Sequence, residues 1–131
     1  MEIKTKKSEI KPKHYIPVII LILTLAVFLT IINHRRIVKL HEEFPEIHSE
    51  DSINEVITDI YTEKGACFLT LKHNKKIFIN EVKNCLYDKE YIDQNLQIGD
   101  TIKKHEDSDT LYIKNSDKNL YFVIGKVINR K

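Results

Sequence analysis

An uninterrupted apolar run near the N-terminus limits what this chain can fold into. Residues 15–32 (YIPVIILILTLAVFLTII) carry no charge and are polar only at Thr24, Thr30 and the Tyr15 hydroxyl. As a helix rising about 1.5 Å per residue, the run spans roughly 27 Å, close to the hydrocarbon thickness of a bilayer. A helix that is apolar on every side must be buried all round, and a domain this small cannot surround it. The run therefore predicts a single transmembrane helix over residues 15–32.

The charges that flank the run predict its direction. Residues 1–14 contain five lysines, whereas three basic residues, Arg35, Arg36 and Lys39, follow the run. The positive-inside rule then favours a cytoplasmic tail over residues 1–14 and a C-terminal domain that is periplasmic or extracellular. The bulky residues that end the run and the two arginines after it disfavour a cleaved signal peptide. We expect a single-pass protein of the inner (cell) membrane.

The charge of the two parts of the chain separates the membrane anchor from the domain. Residues 1–49 hold 8 Lys and Arg against 5 Asp and Glu, whereas residues 50–131 hold 13 against 14. Domains that bind nucleic acid usually have a basic excess, so nucleic acid is a disfavoured partner. The expected partners are the lipid bilayer and a protein of the cell envelope. The run lacks glycine and so has no GxxxG dimerisation motif, and the sequence leaves the oligomeric state open.

After the run, the apolar spacing changes from helical to strand-like. Ile37, Leu40 and Phe44 continue a helix that Pro45 stops, and polar residues follow. Residues 33–52 are therefore predicted to be a juxtamembrane helix and linker, and residues 53–131 a small β domain. A short helix capped by Asp88 is predicted over residues 88–96. Strands are predicted over residues 53–62, 66–71, 76–80, 101–104, 110–114 and 120–128.

The pairing of two hairpins follows from their apolar residues. A three-residue loop over residues 73–75 pairs Leu71 with Ile77 and places the apolar side chains on one face. In the last hairpin, pairing Lys114 with Asn119 sets Leu111 opposite Phe122 inside and Tyr112 opposite Tyr121 outside, with Gly125 marking a bend or bulge in the last strand.

The fold class predicted from this order is mainly β. The chain is expected to form an N-terminal transmembrane helix followed by a five- or six-stranded β-barrel with one short helix. Closure into a barrel removes exposed sheet edges. A helix between the third and fourth strands favours an OB-like barrel, and an SH3-like barrel is the alternative.

Four segments carry a family resemblance: Ile53-x-x-Val56-Ile57-x-x-Ile60-Tyr61, the turn over residues 71–76, Leu96-x-Ile98-Gly99-Asp100-x-Ile102-x-Lys104, and Tyr121-Phe122-x-Ile124-Gly125. In these segments the chain resembles a group of short bacterial proteins of Bacteroidota type. Those proteins join one N-terminal transmembrane helix to a small β-barrel of uncharacterised function. The resemblance implies an architecture and a location, and it carries over no catalytic residues.

The two cysteines, Cys67 and Cys85, are too few for a disulfide framework. One bridge between them is predicted if the domain faces an oxidising compartment, and two small buried thiols are the alternative. Their spacing to the histidines does not match a structural zinc site, so no metal is expected. The three glycines form no phosphate-binding loop, and no nucleophile lies beside a base. We therefore expect no catalytic residue, no cofactor and no enzyme activity.

One group of side chains is a candidate binding patch. Tyr112, Lys114 and Tyr121 are predicted on the outer face of the last hairpin, where exposed aromatic rings stack on bases or sugars. Ordinary cross-strand pairing of the two tyrosines is the alternative. The functional hypothesis is a membrane-anchored, non-enzymatic interaction or structural module of the cell envelope. The alternative is an OB-type barrel that binds an oligosaccharide or a nucleic acid.

Overall fold

One long helix forms the N-terminal part of the chain. The computed structural model describes residue 13 and residues 15–130, and its contacts divide the chain into two compact units, Met1–Lys39 and Leu40–Lys131. Helix α1 covers Ile16–Glu43 and buries none of its side chains. It is long and apolar enough to cross a membrane. The predicted apolar helix is therefore confirmed, and it continues without a break well beyond the apolar run.

The polar side chains inside the apolar part of α1 are satisfied within the helix itself. The Thr24 hydroxyl donates to the Ile20 carbonyl and the Thr30 hydroxyl donates to the Ala26 carbonyl, both at 2.8 Å. Hydroxyls that bond to the carbonyl one turn earlier leave no polar hydrogen in need of water. This helix therefore presents to its surroundings the apolar surface that a bilayer requires.

The second unit is built on a six-stranded, antiparallel sheet in the order β3-β2-β1-β5-β6-β7. The six strands are β1 (Ile53–Glu63), β2 (Ala66–Leu71), β3 (Lys76–Ile79), β5 (Thr101–Lys104), β6 (Thr110–Lys114) and β7 (Asn119–Val123). Two short strands, β4 (Lys83–Asn84) and β8 (Val127–Ile128), form a separate parallel pair. The mainly β fold is confirmed. In the part of the chain that the structure describes, no ladder joins β3 to β7, so the sheet is open.

Strand β1 is shared between the two halves of the sheet. Its first residues, Ile53 to Val56, pair with β5, and its later residues pair with β2. The register with β2 shifts between Ile57 and Asp59, and the Thr58 hydroxyl at this irregularity donates to the Thr70 carbonyl. An extra residue in one strand bends it and increases its twist. Because β1 bends here, its first half can pair with β5 and its second half with β2 while both halves face the same core.

The hairpin of β2 and β3 has a different register from the predicted one. Leu69 pairs with Ile77, and the predicted partner of Ile77 was Leu71. The turn is longer because the Leu71 N–H donates to the Lys75 carbonyl and Asn74 adopts a positive φ of 63°. The displacement is two residues. An even shift leaves every side chain on its original face, so the buried set predicted from the sequence is unchanged.

The last hairpin has the predicted register. Lys114 pairs with Asn119, Leu111 with Phe122, and Tyr112 with Tyr121. The predicted final strand is split, because β7 ends at Val123 and a turn with Gly125 at φ 69° precedes β8.

The predicted helix over residues 88–96 is wrong in extent. A single 3₁₀ turn, Ile92–Gln94, takes its place, and no side chain caps its start. Asp88 is therefore not a helix cap. Ile92 and Leu96 are nevertheless buried, as the spacing predicted.

The predicted linker contributes to the core of the second unit. Ile47 is only 5% exposed and belongs to the hydrophobic cluster that fills the inside of the sheet. Its N–H donates to the Phe78 carbonyl at 3.2 Å, and the Phe78 N–H donates to the Pro45 carbonyl at 2.8 Å. Residues 45–47 therefore cover part of the free edge of β3, which removes an exposed edge at this side of the sheet. The compact unit begins at Leu40 rather than at Ile53.

Candidate functional site

The four strands β1, β5, β6 and β7 present one polar outer face. Alternate residues of β5 and β6 point away from the core, so Lys103, Tyr112 and Lys114 are exposed while the residues between them are buried. The strand pairing arranges this face in two transverse rows, since directly paired residues lie side by side. The first row is Asn54, Lys103, Tyr112 and Tyr121, and the second is Val56, Thr101, Lys114 and Asn119.

A shallow groove of about 390 Å³ follows these rows across the face. Its walls combine one aromatic ring with three basic side chains, and the remaining lining residues offer amide or hydroxyl groups. The ring of Tyr112, 39% exposed, has the His105 imidazole at its edge with 6.3 Å between centroids. The basic side chains are Lys103, His105 and Lys114, and the amide and hydroxyl side chains are Asn54, Thr101 and Asn119.

The charge in this groove is not neutralised by the protein. Neither Lys103 nor Lys114 has a carboxylate within 4.0 Å among residues 15–130, and no acidic side chain lines the groove. Three other lysines of the same unit have such partners: Lys76 pairs with Glu43, Lys83 with Glu90 and Lys118 with Asp100. The groove is therefore a local site of positive charge on a domain whose overall charge is near neutral.

The structure separates the three residues of the predicted binding patch. Tyr112 and Lys114 line the groove, but Tyr121 does not. Tyr121 is half-buried, and its ring meets the Tyr87 ring edge-on at 6.4 Å between centroids. The predicted patch omitted Lys103 and His105. The signal that could have placed Lys103 on the outer face is Ile102: as the only apolar residue of TIKKH (residues 101–105) it points inward, so the next residue points outward.

A second cleft, of about 550 Å³, lies beside the β4–β8 pair. Lys83, Cys85, Tyr91 and Arg130 are among its lining residues. The Lys83 ammonium is already satisfied, because it lies 2.6 Å from a Glu90 carboxylate oxygen and 4.9 Å from the centroid of the Tyr91 ring. The hydrogen bond to Glu90 raises the pKa of Lys83. Lys83 therefore adds no unpaired charge to this cleft, in contrast to Lys103 and Lys114 in the groove.

Cys67 and Cys85 are both free thiols in the structure. Cys67 is fully buried in the core. Burial, together with the nearby Asp93 carboxylate, raises the pKa of the Cys67 thiol to about 12, so this sulfur stays protonated and unreactive at neutral pH. Cys85 is partly exposed in the wall of the second cleft. The disulfide between them stays a prediction.

No cluster of three His, Cys, Asp or Glu side chains that could hold a metal ion is found in residues 15–130. Three polar residues are buried there, and each is satisfied by the protein itself: Asn84, Asp100 and Lys104. Each ties separate segments together, and none of them lines a cleft described above. Their role is to hold the loops around the sheet.

Comparison with known proteins finds no match: no family model, no curated protein and no solved structure is significantly similar to this chain. The family resemblance drawn from the sequence therefore stays a prediction.

Proposed function

We propose that this chain is a membrane-anchored, non-enzymatic interaction module of the cell envelope. In this proposal α1 crosses the inner membrane once, residues 1–14 are cytoplasmic, and the β domain lies outside. The single observation that carries the proposal is α1 itself, whose apolar side chains over residues 16–32 are all exposed while the second unit has a core of its own. A helix with this surface is stable in lipid and costly in water.

Membrane fractionation tests the anchor. The full chain is expected in the pellet after an alkaline carbonate wash, which strips peripheral proteins from membranes. A matched variant in which Leu21, Leu23 and Leu25 are replaced by lysine is expected to leave the membrane fraction. Recovery of the wild-type chain in the wash would contradict the proposal.

Crosslinking tests whether the β domain binds a protein partner. Mild crosslinking of cells is expected to trap a complex between the β domain and an envelope protein. A chain that stops after residue 44 keeps the anchor and is expected to lose the complex. Persistence of the same complex without the domain would assign the interaction to the helix instead.

The groove supports a second candidate function, a ligand-binding domain of OB type for an oligosaccharide or a nucleic acid. Strand β1 pairs with different neighbours along its two halves, which is how a small sheet curls towards a barrel. We propose that this open, curled sheet is a partly open barrel of OB-like type, with an SH3-like type as the alternative. The binding face of the candidate is the groove, where Tyr112 and the two unpaired lysines lie together.

This second candidate predicts that Tyr112→Ala weakens ligand binding without a loss of folding, because Tyr112 points outward. Tyr121→Ala provides the contrast: its ring packs on Tyr87 and not in the groove, so its effect is expected on stability more than on binding. Equal losses of binding in two well-folded variants would contradict the assignment of the groove.

A further inference from the structure

We infer that the groove on the outer face of β1, β5, β6 and β7 binds an acidic oligosaccharide, a chain of sugars that carry carboxylate groups. This inference rests on the second candidate function and names its ligand class. The side chains that would contact the sugar are those of Tyr112, Lys103 and Lys114, with the amides of Asn54 and Asn119 beside them.

The positions of the lysines around Tyr112 define the site. Lys103 is directly paired with Tyr112 on the neighbouring strand, so their Cβ atoms lie about 5 Å apart. Lys114 is two residues along β6 from Tyr112, about 7 Å away on the same face. Two ammonium groups therefore flank one exposed ring. A sugar on the ring places its acidic substituent, or that of the next sugar, within reach of a lysine.

The other lining groups match sugar hydroxyls. Side-chain amides both donate and accept hydrogen bonds, and so does the Thr101 hydroxyl, which suits ligands with many hydroxyl groups. Asn54 and Asn119 lie at opposite edges of the groove, on β1 and β7. A ligand that contacts both crosses all four strands, which extends over about 15 Å of the face. This length accommodates an oligosaccharide rather than a single small anion.

Three features favour an acidic sugar over a nucleic acid. The two rings of the groove, Tyr112 and His105, meet edge-on, whereas single-stranded nucleic acids are bound by successive rings that stack on successive bases. The groove has no arginine to grip phosphates bidentately. The domain around it, residues 50–131, has one more acid than bases and lacks the broad positive field that nucleic-acid binding uses.

Calorimetry on the full chain in detergent micelles tests the ligand class with three probes. Tetragalacturonate is the acidic oligosaccharide, maltotetraose is a neutral one of the same length, and an eight-nucleotide oligothymidylate represents nucleic acid. We expect binding of tetragalacturonate at least about tenfold tighter than of maltotetraose, weakening as salt is raised. Equal binding of the two sugars overturns the role of charge, and tighter binding of the oligonucleotide overturns the ligand class.

Paired variants test the site. Lys103→Gln with Lys114→Gln is expected to weaken tetragalacturonate binding about tenfold or more. Lys72→Gln with Lys75→Gln removes the same charge from the exposed β2–β3 turn and is expected to leave binding unchanged. Equal losses in both pairs would show a general charge effect and overturn the site. Circular dichroism verifies that each variant is folded.

Binding of maltotetraose or of the oligonucleotide without binding of tetragalacturonate would reject the acidic oligosaccharide and keep the ligand-binding candidate. Binding of none of the three probes would reject both. The membrane anchor and the protein partner are measured separately, by fractionation and crosslinking, and those results do not depend on the groove.

Discussion

The Lys118 ammonium lies 2.6 Å from Oδ2 of Asp100, a residue that is only 1% exposed. The same carboxylate accepts from the Gln97 N–H at 2.9 Å and, through Oδ1, from the Asn115 side chain at 2.7 Å. Asp100 thereby joins the loop after the 3₁₀ turn to the β6–β7 turn, on which Asn115 and Lys118 lie. One buried carboxylate thus positions the ends of β5, β6 and β7, the strands that carry most of the groove.

Removal of this carboxylate is expected to be costly. Asp100→Ala leaves the Lys118 ammonium and the Asn115 amide without their partner, and we expect a loss of about 3 kcal/mol of unfolding free energy. Asp117→Ala, an exposed acid on the same turn, provides the matched control with an expected change within about 0.5 kcal/mol. Urea unfolding of the full chain in detergent measures both. Equal effects would show that the buried pair has no special part in stability.

Lys103 and Lys104 are neighbours on β5 whose side chains lie on opposite faces of the sheet, so substituting each one compares an exposed with a buried lysine. Lys104 is 1% exposed, and its ammonium donates to the carbonyls of Ser49, Asp51 and His105. Lys104→Met removes the ammonium donor from the Ser49 and Asp51 carbonyls, whereas the His105 carbonyl still accepts from the Ser108 N–H. We expect a loss of about 2–3 kcal/mol of unfolding free energy. Lys103→Met, on the exposed face, is expected to change stability by less than about 0.5 kcal/mol. A stability loss at Lys103 that matches the one at Lys104 would contradict the observed orientation of β5.

The contribution of the buried Ile47 side chain to stability is tested by a similar pair of substitutions. Ile47→Ala is expected to lower the unfolding free energy by about 2–4 kcal/mol, because it opens a cavity beside β3. Ile98→Ala removes the same atoms from a side chain that is 66% exposed and is expected to have almost no effect. A negligible effect at both positions would return residues 46–52 to the role of a simple linker.

Cysteine labelling tests the environments of the two thiols. In the folded chain, iodoacetamide is expected to modify Cys85 and not the buried Cys67, whereas the unfolded, unreduced chain is expected to show two thiols. A count of zero in the unfolded, unreduced chain would establish instead the bridge that the sequence predicted.

The raised pKa of Cys67 also makes the stability of the fold depend on pH. The unfolded thiol ionises near pH 9 and the folded one only near pH 12, so its contribution to stability is complete below pH 9 and is lost between these values.

Local patterns in the sequence were sufficient to predict the strand register where the paired strands are close along the chain. The register of the last hairpin follows from its short turn together with Leu111, Ile113 and Phe122, since pairing across that turn places all three side chains inside. The β2–β3 turn was harder, because a shift of two residues buries the same side chains and the choice depends on backbone hydrogen bonds within the turn.

Features that depend on distant contacts were not predictable from those patterns. Lys104 continues a polar TIKK pattern, and only the carbonyls of residues 49 and 51 explain how its charge is buried. Ile47 is a single apolar residue in a polar stretch, and its burial depends on the edge of β3. Two residues of the candidate site, Tyr112 and Lys114, were found from the alternation of the last hairpin. Lys103 and His105 were missed because β5 joins β6 only through the fold of the sheet.

In the proposed arrangement, one helix crosses the membrane and leaves the β domain outside. Two single cysteines, introduced in a Cys85→Ser background, test it directly: Ser8→Cys in the N-terminal tail and Ser116→Cys on the exposed β6–β7 turn. Intact spheroplasts are treated with a membrane-impermeant maleimide. If the helix crosses the membrane once with the β domain outside, position 116 is labelled without permeabilisation and position 8 only after it. The opposite pattern, or labelling of neither position until the cells are opened, would rule out this arrangement.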